Sequence, residues 1–330
     1  MLTCNLHLYI LYLKSVYQHD SQEFASFLMD GLHEDLNRVI EKPYVEDLEA
    51  RDMKDTNAAI ESWKKHLMRH DSIIVDHCQG LHRSHLTCPH CGYESVTFDV
   101  YATLSLPLVP TKDRSAIPLS DCIEEFIGGE QLDERNAWYC PRCKEHVCAL
   151  KMIALWSTPD IFILHLKRFS YDTCSRRGEL VRSKIEDAVS FPVDRLDMTK
   201  YVLGPIDPDN PPVYKLLGVS EHSGPTASSG HYTATVRNSR DGKWYRYNDS
   251  HVGLTSGEAA VTGGAYLLFY QRSSGVSRWG GMERVIKLGM DVSGDGGRGE
   301  GRKEEMDPDG FTTVRSKKKK RRGVGGSPRK

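Results

Sequence analysis

Two pairs of cysteines dictate where this chain must come back to itself. Cys88-Pro89-His90-Cys91 and Cys140-Pro141-Arg142-Cys143 each set two thiolates two residues apart around a tight turn, which supplies two corners of a tetrahedron. Together they make a closed, structural Cys4 zinc site. The 48 residues between the pairs exceed the usual zinc-ribbon interval, so the intervening segment must leave the site and return to it. The other cysteines show no secreted disulfide framework, and Cys78, Cys122, Cys148 and Cys174 read as buried or loose thiols. A reducing compartment, cytoplasmic or nuclear, is expected.

The second constraint is a hairpin signal. Gly230-His231-Tyr232 opens a run rich in Tyr, Thr and Val, Asp241-Gly242 makes a turn, and Trp244-Tyr245-Arg246-Tyr247-Asn248-Asp249 forms an aromatic strand ending in an amide and a carboxylate. Pairing of the two strands brings Asn248 beside His231. A histidine serves as a general base when a neighbour accepts the proton of its far ring nitrogen and so fixes its tautomer. A structural histidine in an antiparallel hairpin is the plainer reading of His231 taken alone.

Around these features the pattern alternates helices early with strands late. Asp20 as N-cap with Glu23 as its capping-box partner opens a helix of about 18 residues, with Phe24, Phe27, Leu28, Leu32, Leu36 and Val39 on its buried side and Pro43 at its end. Residues 44–60 read as a polar loop, followed by an amphipathic helix carrying Trp63, Leu67 and Met68. Residues 72–86 read as strand, led by Ile73-Ile74-Val75. Residues 96–109 supply a further strand and 119–128 a short helix, before strands over 150–155, 161–169 and 214–219. Residues 171–184 and 220–229 are expected to be loops, the latter gating access to His231. Residues 265–270 form a last strand that closes the sheet. The opening residues 1–17 are an apolar remnant without a targeting signal, and no apolar run reaches the roughly 18 to 20 residues of a membrane span.

The net charge of −1 conceals a basic end, because the last thirty residues hold eleven Lys or Arg against four Asp or Glu. Residues 273–330 are expected to be a disordered basic tail, and Lys317 to Arg322 within it is a nuclear-import signal, a non-specific phosphate patch or a solvated charge run. The remainder is mildly acidic. Nucleic-acid contact is therefore confined to weak binding through that tail.

Four blocks now stand in order: Gln18-His19-Asp20-Ser21-Gln22-Glu23-Phe24, the two knuckles, His165-Leu166-Lys167-Arg168-Phe169, and Gly230-His231-Tyr232 with Trp244 to Asp249. The set resembles the catalytic domain of the ubiquitin-specific proteases, papain-like cysteine peptidases that remove ubiquitin, over about residues 18–272. The resemblance implies an α+β fold of thumb, zinc-bearing fingers (about 73–150) and antiparallel β palm (about 151–272). It implies that His231 is the general base, Asn248 its orienting partner and Asp249 an assisting carboxylate. Asp20 would grip the arginine-bearing tail of ubiquitin, a role compatible with its being a helix cap, and Cys88, Cys91, Cys140 and Cys143 would hold structural zinc. Ubiquitin and ubiquitinated proteins are the implied partners.

One family block has no full counterpart. The family's nucleophile lies in a segment around Asn-Thr-Cys-Tyr-Met-Asn, several helical turns before the Gln-x-Asp block, whereas 17 residues precede Gln18 here. Cys4, in Leu2-Thr3-Cys4-Asn5-Leu6, echoes Thr-Cys but lacks the aromatic-Met-Asn sequel and reads as an apolar buried thiol. The expectation is a family member lacking the N-terminal cysteine block and not cleaving ubiquitin conjugates as the chain stands. The alternative is a non-catalytic ubiquitin-binding pseudoenzyme.

Overall fold

A computed structural model describes residues 19–46, 53–109, 116–172, 181–226 and 229–274. Cys4, Cys174, the opening segment and the basic tail from residue 275 onward lie outside the described residues. The described residues open with three helices, α1 (Ser21–Asp35), α2 (Asp55–Leu67) and α3 (Ile73–Cys78). Strands β1 (Gly80–Thr87), β2 (Glu94–Tyr101), β3 (Thr103–Leu106) and β4 (Ile117–Pro118) lead into helix α4 (Leu119–Ile127). Then come β5 (Gly129–Gln131), β6 (Trp138–Cys140), β7 (Glu145–Val147), β8 (Leu150–Ser157), β9 (Ile161–Leu166), β10 (Phe169–Asp172), β11 (Val181–Lys184), β12 (Val189–Ser190) and β13 (Leu196–Asp197). The last group is β14 (Val213–Thr226), β15 (Ser229–Arg237), β16 (Trp244–Asn248), β17 (His251–Thr255) and β18 (Ala265–Arg272). Among the described residues no helix is long and apolar enough to cross a membrane.

Two sheets organise these elements. A four-stranded sheet of order β2-β1-β8-β5 carries the first knuckle in the β1–β2 connection, and the small β6–β7 hairpin carries the second. The larger sheet runs β17-β16-β15-β14-β18-β9-β3, with β13 beside β14. Its ladders are antiparallel except for the β3–β9 pair, which is parallel. The long interval between the knuckles now has a physical cause: the chain leaves the first sheet after β2, contributes β3 to the large sheet, packs α4 against it, and returns through β5. The main core joins the larger sheet to α4 and is built from Leu104, Leu106, Phe162, Leu164, Tyr214, Leu268 and Tyr270 with Leu119, Cys122 and Ile123. A second cluster packs Ala58, Ala59 and Trp63 of α2 on Leu81, Phe98 and Trp156.

Several sequence expectations are corrected. Ile73-Ile74-Val75 is helical, because Ser72 caps the turn by accepting from the Val75 N–H and a favourable cap outweighs a β-branched run. Helix α1 is shorter than expected. It stops at Asp35, where Asn37 diverts the chain by accepting from the Val39 and Asp71 N–H groups and donating to the Arg69 carbonyl. Its apolar side is not buried: Phe24 and Phe27 are 41% and 42% exposed, and His33 is the buried residue of the helix. The loop expected over 44–60 gives way to α2 from Asp55. The loop expected over 171–184 is flanked by paired strands, β10 on β11. Strand β18 does not close the sheet but lies inside it, between β14 and β9, which suits its nearly continuous burial.

Buried polar groups tie the layers together. The Arg168 guanidinium donates to the carbonyls of Ala265, Ile185 and Asp187 at 2.6, 2.9 and 2.9 Å, and burial pushes its pKa down to about 10. Arg272 donates to Asp160 at 3.1 Å and to the Thr158 carbonyl at 2.7 Å, closing β18 onto the turn before β9.

Candidate active site and metal centre

His231 stands on β15 and Asn248 at the end of β16. The register pairs Ala234 with Tyr247, so Asn248 falls opposite Thr233 and diagonal to His231 on one face of the sheet. The connecting turn is held by Asp241, whose carboxylate accepts from the Lys243 N–H and the Tyr245 hydroxyl, and by Gly242 at φ 70°. His231 Nε2 lies 2.6 Å from Asn248 Oδ1. An amide oxygen only accepts, so the ring proton sits on Nε2 and the lone pair is on Nδ1. A neutral imidazole held in that tautomer can take a proton at Nδ1.

Gly230 is required by what lies behind it. Its φ is 158°, and a Cβ there would meet the Ser223 carbonyl at 2.3 Å and His222 Nε2 at 2.6 Å. His222 is fully buried beneath the site, edge-on to Tyr232 and Phe169, and burial lowers its pKa. The gate expected over 220–229 is a paired arm instead. Strand β14 continues to Thr226, with Ser223 opposite His231 and Thr226 opposite Ser229, and Lys184 Nζ donates to the carbonyls of His222 and Gly224. Residues 227–228 at its tip lie outside the described residues.

Asp20 is both cap and anchor. One carboxylate oxygen accepts from the Gln22 N–H at 2.8 Å and the other from the Tyr266 hydroxyl at 2.7 Å. Tyr232, next to His231, accepts from the Ser21 N–H at 3.3 Å. The N-terminus of α1 is thereby tied to β15 and β18. The capping-box return bond from Glu23 is not formed among the described residues. Asp249 is an exposed turn residue at φ 48° between β16 and β17, and it is not among the hydrogen-bond partners of His231 in the described residues.

The four knuckle cysteines converge. Cys88 Sγ lies 3.7 Å from Cys143 Sγ and Cys91 Sγ 3.7 Å from Cys140 Sγ, and all four sulfurs lie within 4.8 Å of one another. A tetrahedral ion with metal–sulfur bonds near 2.3 Å requires sulfurs about 3.8 Å apart, so the spacing fits a bound metal. The two turns are alike. Gly92 and Lys144 occupy the same position after each pair, at φ 66° and 60°, and donate to the carbonyls of Cys88 and Cys140.

Residues 6–270 match the family model described as ubiquitin carboxyl-terminal hydrolase. The chain belongs to that family. It is 38% identical over 261 residues to ubiquitin carboxyl-terminal hydrolase 2 of Bos taurus, covering 79% of this chain and 41% of that protein. The Gallus gallus protein of the same name is 36% identical and covered to 70% of its length. The chain thus spans about two fifths of the length of its mammalian relative. Among solved structures, a chain of the SAGA DUB module of Ubp8, Sgf11, Sus1 and Sgf73 bound to monoubiquitin superposes with a TM-score of 0.58 at 27% identity, covering 82% of this chain and 52% of that one. The papain-like fold of this hydrolase family is therefore the fold of the chain.

Two further residues act through contacts that the sequence pattern does not announce. Tyr266 was read as part of an apolar strand, yet its hydroxyl anchors Asp20. Glu221, inside the expected loop, is buried and accepts from Thr233, Thr235 and Thr262, which makes it the polar centre of the β14–β15 arm. The signal was a carboxylate surrounded by threonines at alternate strand positions, visible only once the pairing is known.

Proposed function

We propose that the protein is a thiol-dependent deubiquitinase acting at the bond between the ubiquitin terminal glycine and a substrate lysine. The observation that carries this reading is the 2.6 Å pairing of His231 Nε2 with Asn248 Oδ1 beside Gly230. In this scheme Nδ1 of His231 takes the proton of a cysteine thiol, the thiolate attacks the glycine carbonyl, and the imidazolium returns the proton to the departing lysine amine. Water, deprotonated by the same nitrogen, then hydrolyses the thioester. Asp20, on the helix end fastened beside the base, would pair with an arginine of the incoming ubiquitin tail.

The knuckle cluster would hold zinc, the metal that four thiolates in a tetrahedron select. Four thiolates leave no open position, so it would brace the finger hairpins and take no part in the reaction. These reduced thiols fit a cytoplasmic or nuclear protein.

A second reading rests on the thiols. Among the described residues no cysteine sulfur is bonded to His231, and Cys78 and Cys122 are buried with pKa values raised to about 11 by desolvation. On that reading the chain binds ubiquitin without cleaving it. Treatment with ubiquitin bearing a thiol-reactive C-terminal warhead separates the two, run beside Cys4→Ala. Covalent labelling lost in the variant assigns the nucleophile to Cys4. Saturable binding without labelling supports the non-catalytic reading, and neither labelling nor binding sinks both.

A further inference from the structure

A second group of metal-ligating side chains lies at the end of α1 opposite Asp20, 13 residues along and so about 20 Å away at 1.5 Å per residue. His33 is 6% exposed, and its Nδ1 is 2.8 Å from the Oγ of Ser72, itself fully buried. His33 Nε2 faces His70 Nδ1 at 3.1 Å, and Glu34 Oε1 stands 3.9 Å from the same Nε2. The three ligand atoms lie within 4.8 Å of one another.

Two facing imidazole nitrogens satisfy each other only while one of them carries a proton. With both rings neutral, each offers a lone pair to an ion lying between them. The Ser72 hydroxyl can accept from His33 Nδ1–H, and in that tautomer Nε2 is free to ligate. Two ligands about 2.05 Å from a tetrahedral ion stand about 3.3 Å apart, close to the separation seen here. The His70 ring is braced from behind by His66, stacked at 4.9 Å and 21°, whose Nε2 is 2.9 Å from Gln79 Oε1. Metal-ligating histidines are held in this manner by hydrogen bonds at their second nitrogen and by their neighbours.

We propose that His33, Glu34 and His70 form a second divalent-metal site, distinct from the cysteine cluster, taking a borderline ion of the zinc type through two imidazoles and one carboxylate, with solvent in the fourth position. Lys42 Nζ is the competitor: it lies 2.6 and 2.8 Å from the two Glu34 oxygens and must release one of them. That ion pair is exposed and contributes little to the fold. Metal binding would join α1 to the connector between α2 and α3, and so steady the helix whose other end carries Asp20.

The test is metal stoichiometry on the full chain. Purified protein equilibrated with zinc and freed of excess should bind two equivalents, His70→Gln should bind one, and Lys42→Ala should bind the second equivalent more tightly than the parent chain. Micromolar zinc should raise the melting temperature of the parent chain and leave that of His70→Gln unchanged. One equivalent in the parent chain, or two in both the parent and His70→Gln, overturns the proposal. Because His70→Gln is read against added metal, a general loss of stability in that variant does not imitate the result.

Discussion

The Tyr266 hydroxyl donates to Asp20 Oδ2 at 2.7 Å across 246 positions of sequence, while Oδ1 of the same carboxylate caps α1. One side chain thereby orients the helix and couples it to the sheet that carries His231.

The two roles of Asp20 separate by substitution. Asn caps a helix as well as Asp does, so Asp20→Asn should melt within about 0.5 kcal/mol of the parent, whereas Asp20→Ala should lose about 1 kcal/mol or more. If the carboxylate also receives an arginine of ubiquitin, Asp20→Asn should weaken ubiquitin binding about ten- to a hundredfold, the worth of one charge-assisted bond. Titration calorimetry beside thermal melts reads both. Unchanged affinity in Asp20→Asn confines the residue to capping α1 and holding Tyr266.

Asn248 should govern the tautomer of His231. In the parent protein nitrogen NMR of the His231 ring should show the proton on Nε2, and in Asn248→Ala a mixture of tautomers. Turnover of a fluorogenic ubiquitin substrate should fall about 10²- to 10⁴-fold in His231→Ala and less in Asn248→Ala. A parent spectrum with the proton on Nδ1 would falsify the base assignment.

If the knuckles hold metal, its removal should loosen the two hairpins that carry them. Their own core is small, Val147, Ala149 and the stacked Tyr93–Trp138 pair around the cysteines, too little to order two hairpins alone. Chelator treatment or Cys143→Ser should raise amide exchange in β6, β7 and the β1–β2 connection, while β9, β14 and β18 stay protected. Uniform exchange across both groups would contradict a purely local brace.

What could be read in advance, and what could not, follows from the range of each interaction. The β15–β16 hairpin and the knuckles are local devices, a turn between two strands and two residues around a bend, so their residue types announce them. Ile73 to Cys78 was misread because one serine hydroxyl decided between helix and strand. The Ser220 to Ser229 arm was misread because small residues signal a loop, whereas here Gly224 and Gly230 permit a tight β-arm over His222. Tyr266 and Arg168 act on partners that adjoin only after the sheet has formed, and no periodicity reports such contacts.

The last prediction concerns acid. Burial pushes His66, His82 and His165 down to about 4 from an ordinary 6.5, and Lys151 adds to the effect at His82. Between those two values the unfolded chain binds protons that the folded chain refuses, so stability rises with pH across that interval. The contribution is complete above about 6.5 and lost as pH falls toward 4, at a slope of at most about 1.4 kcal/mol per pH unit for each ring. His82 is the clearest case, since its ring stacks on Tyr101 at 4.0 Å and its Nε2 is buried without a hydrogen-bond partner among the described residues. Urea unfolding at intervals from pH 7.5 to 5 should show stability falling with acid, and His82→Gln should flatten the fall. The slope is the deciding quantity, because a substitution that merely damages packing shifts the curve without tilting it. A parent curve that is level across the range would show that these rings are protonated in the folded protein.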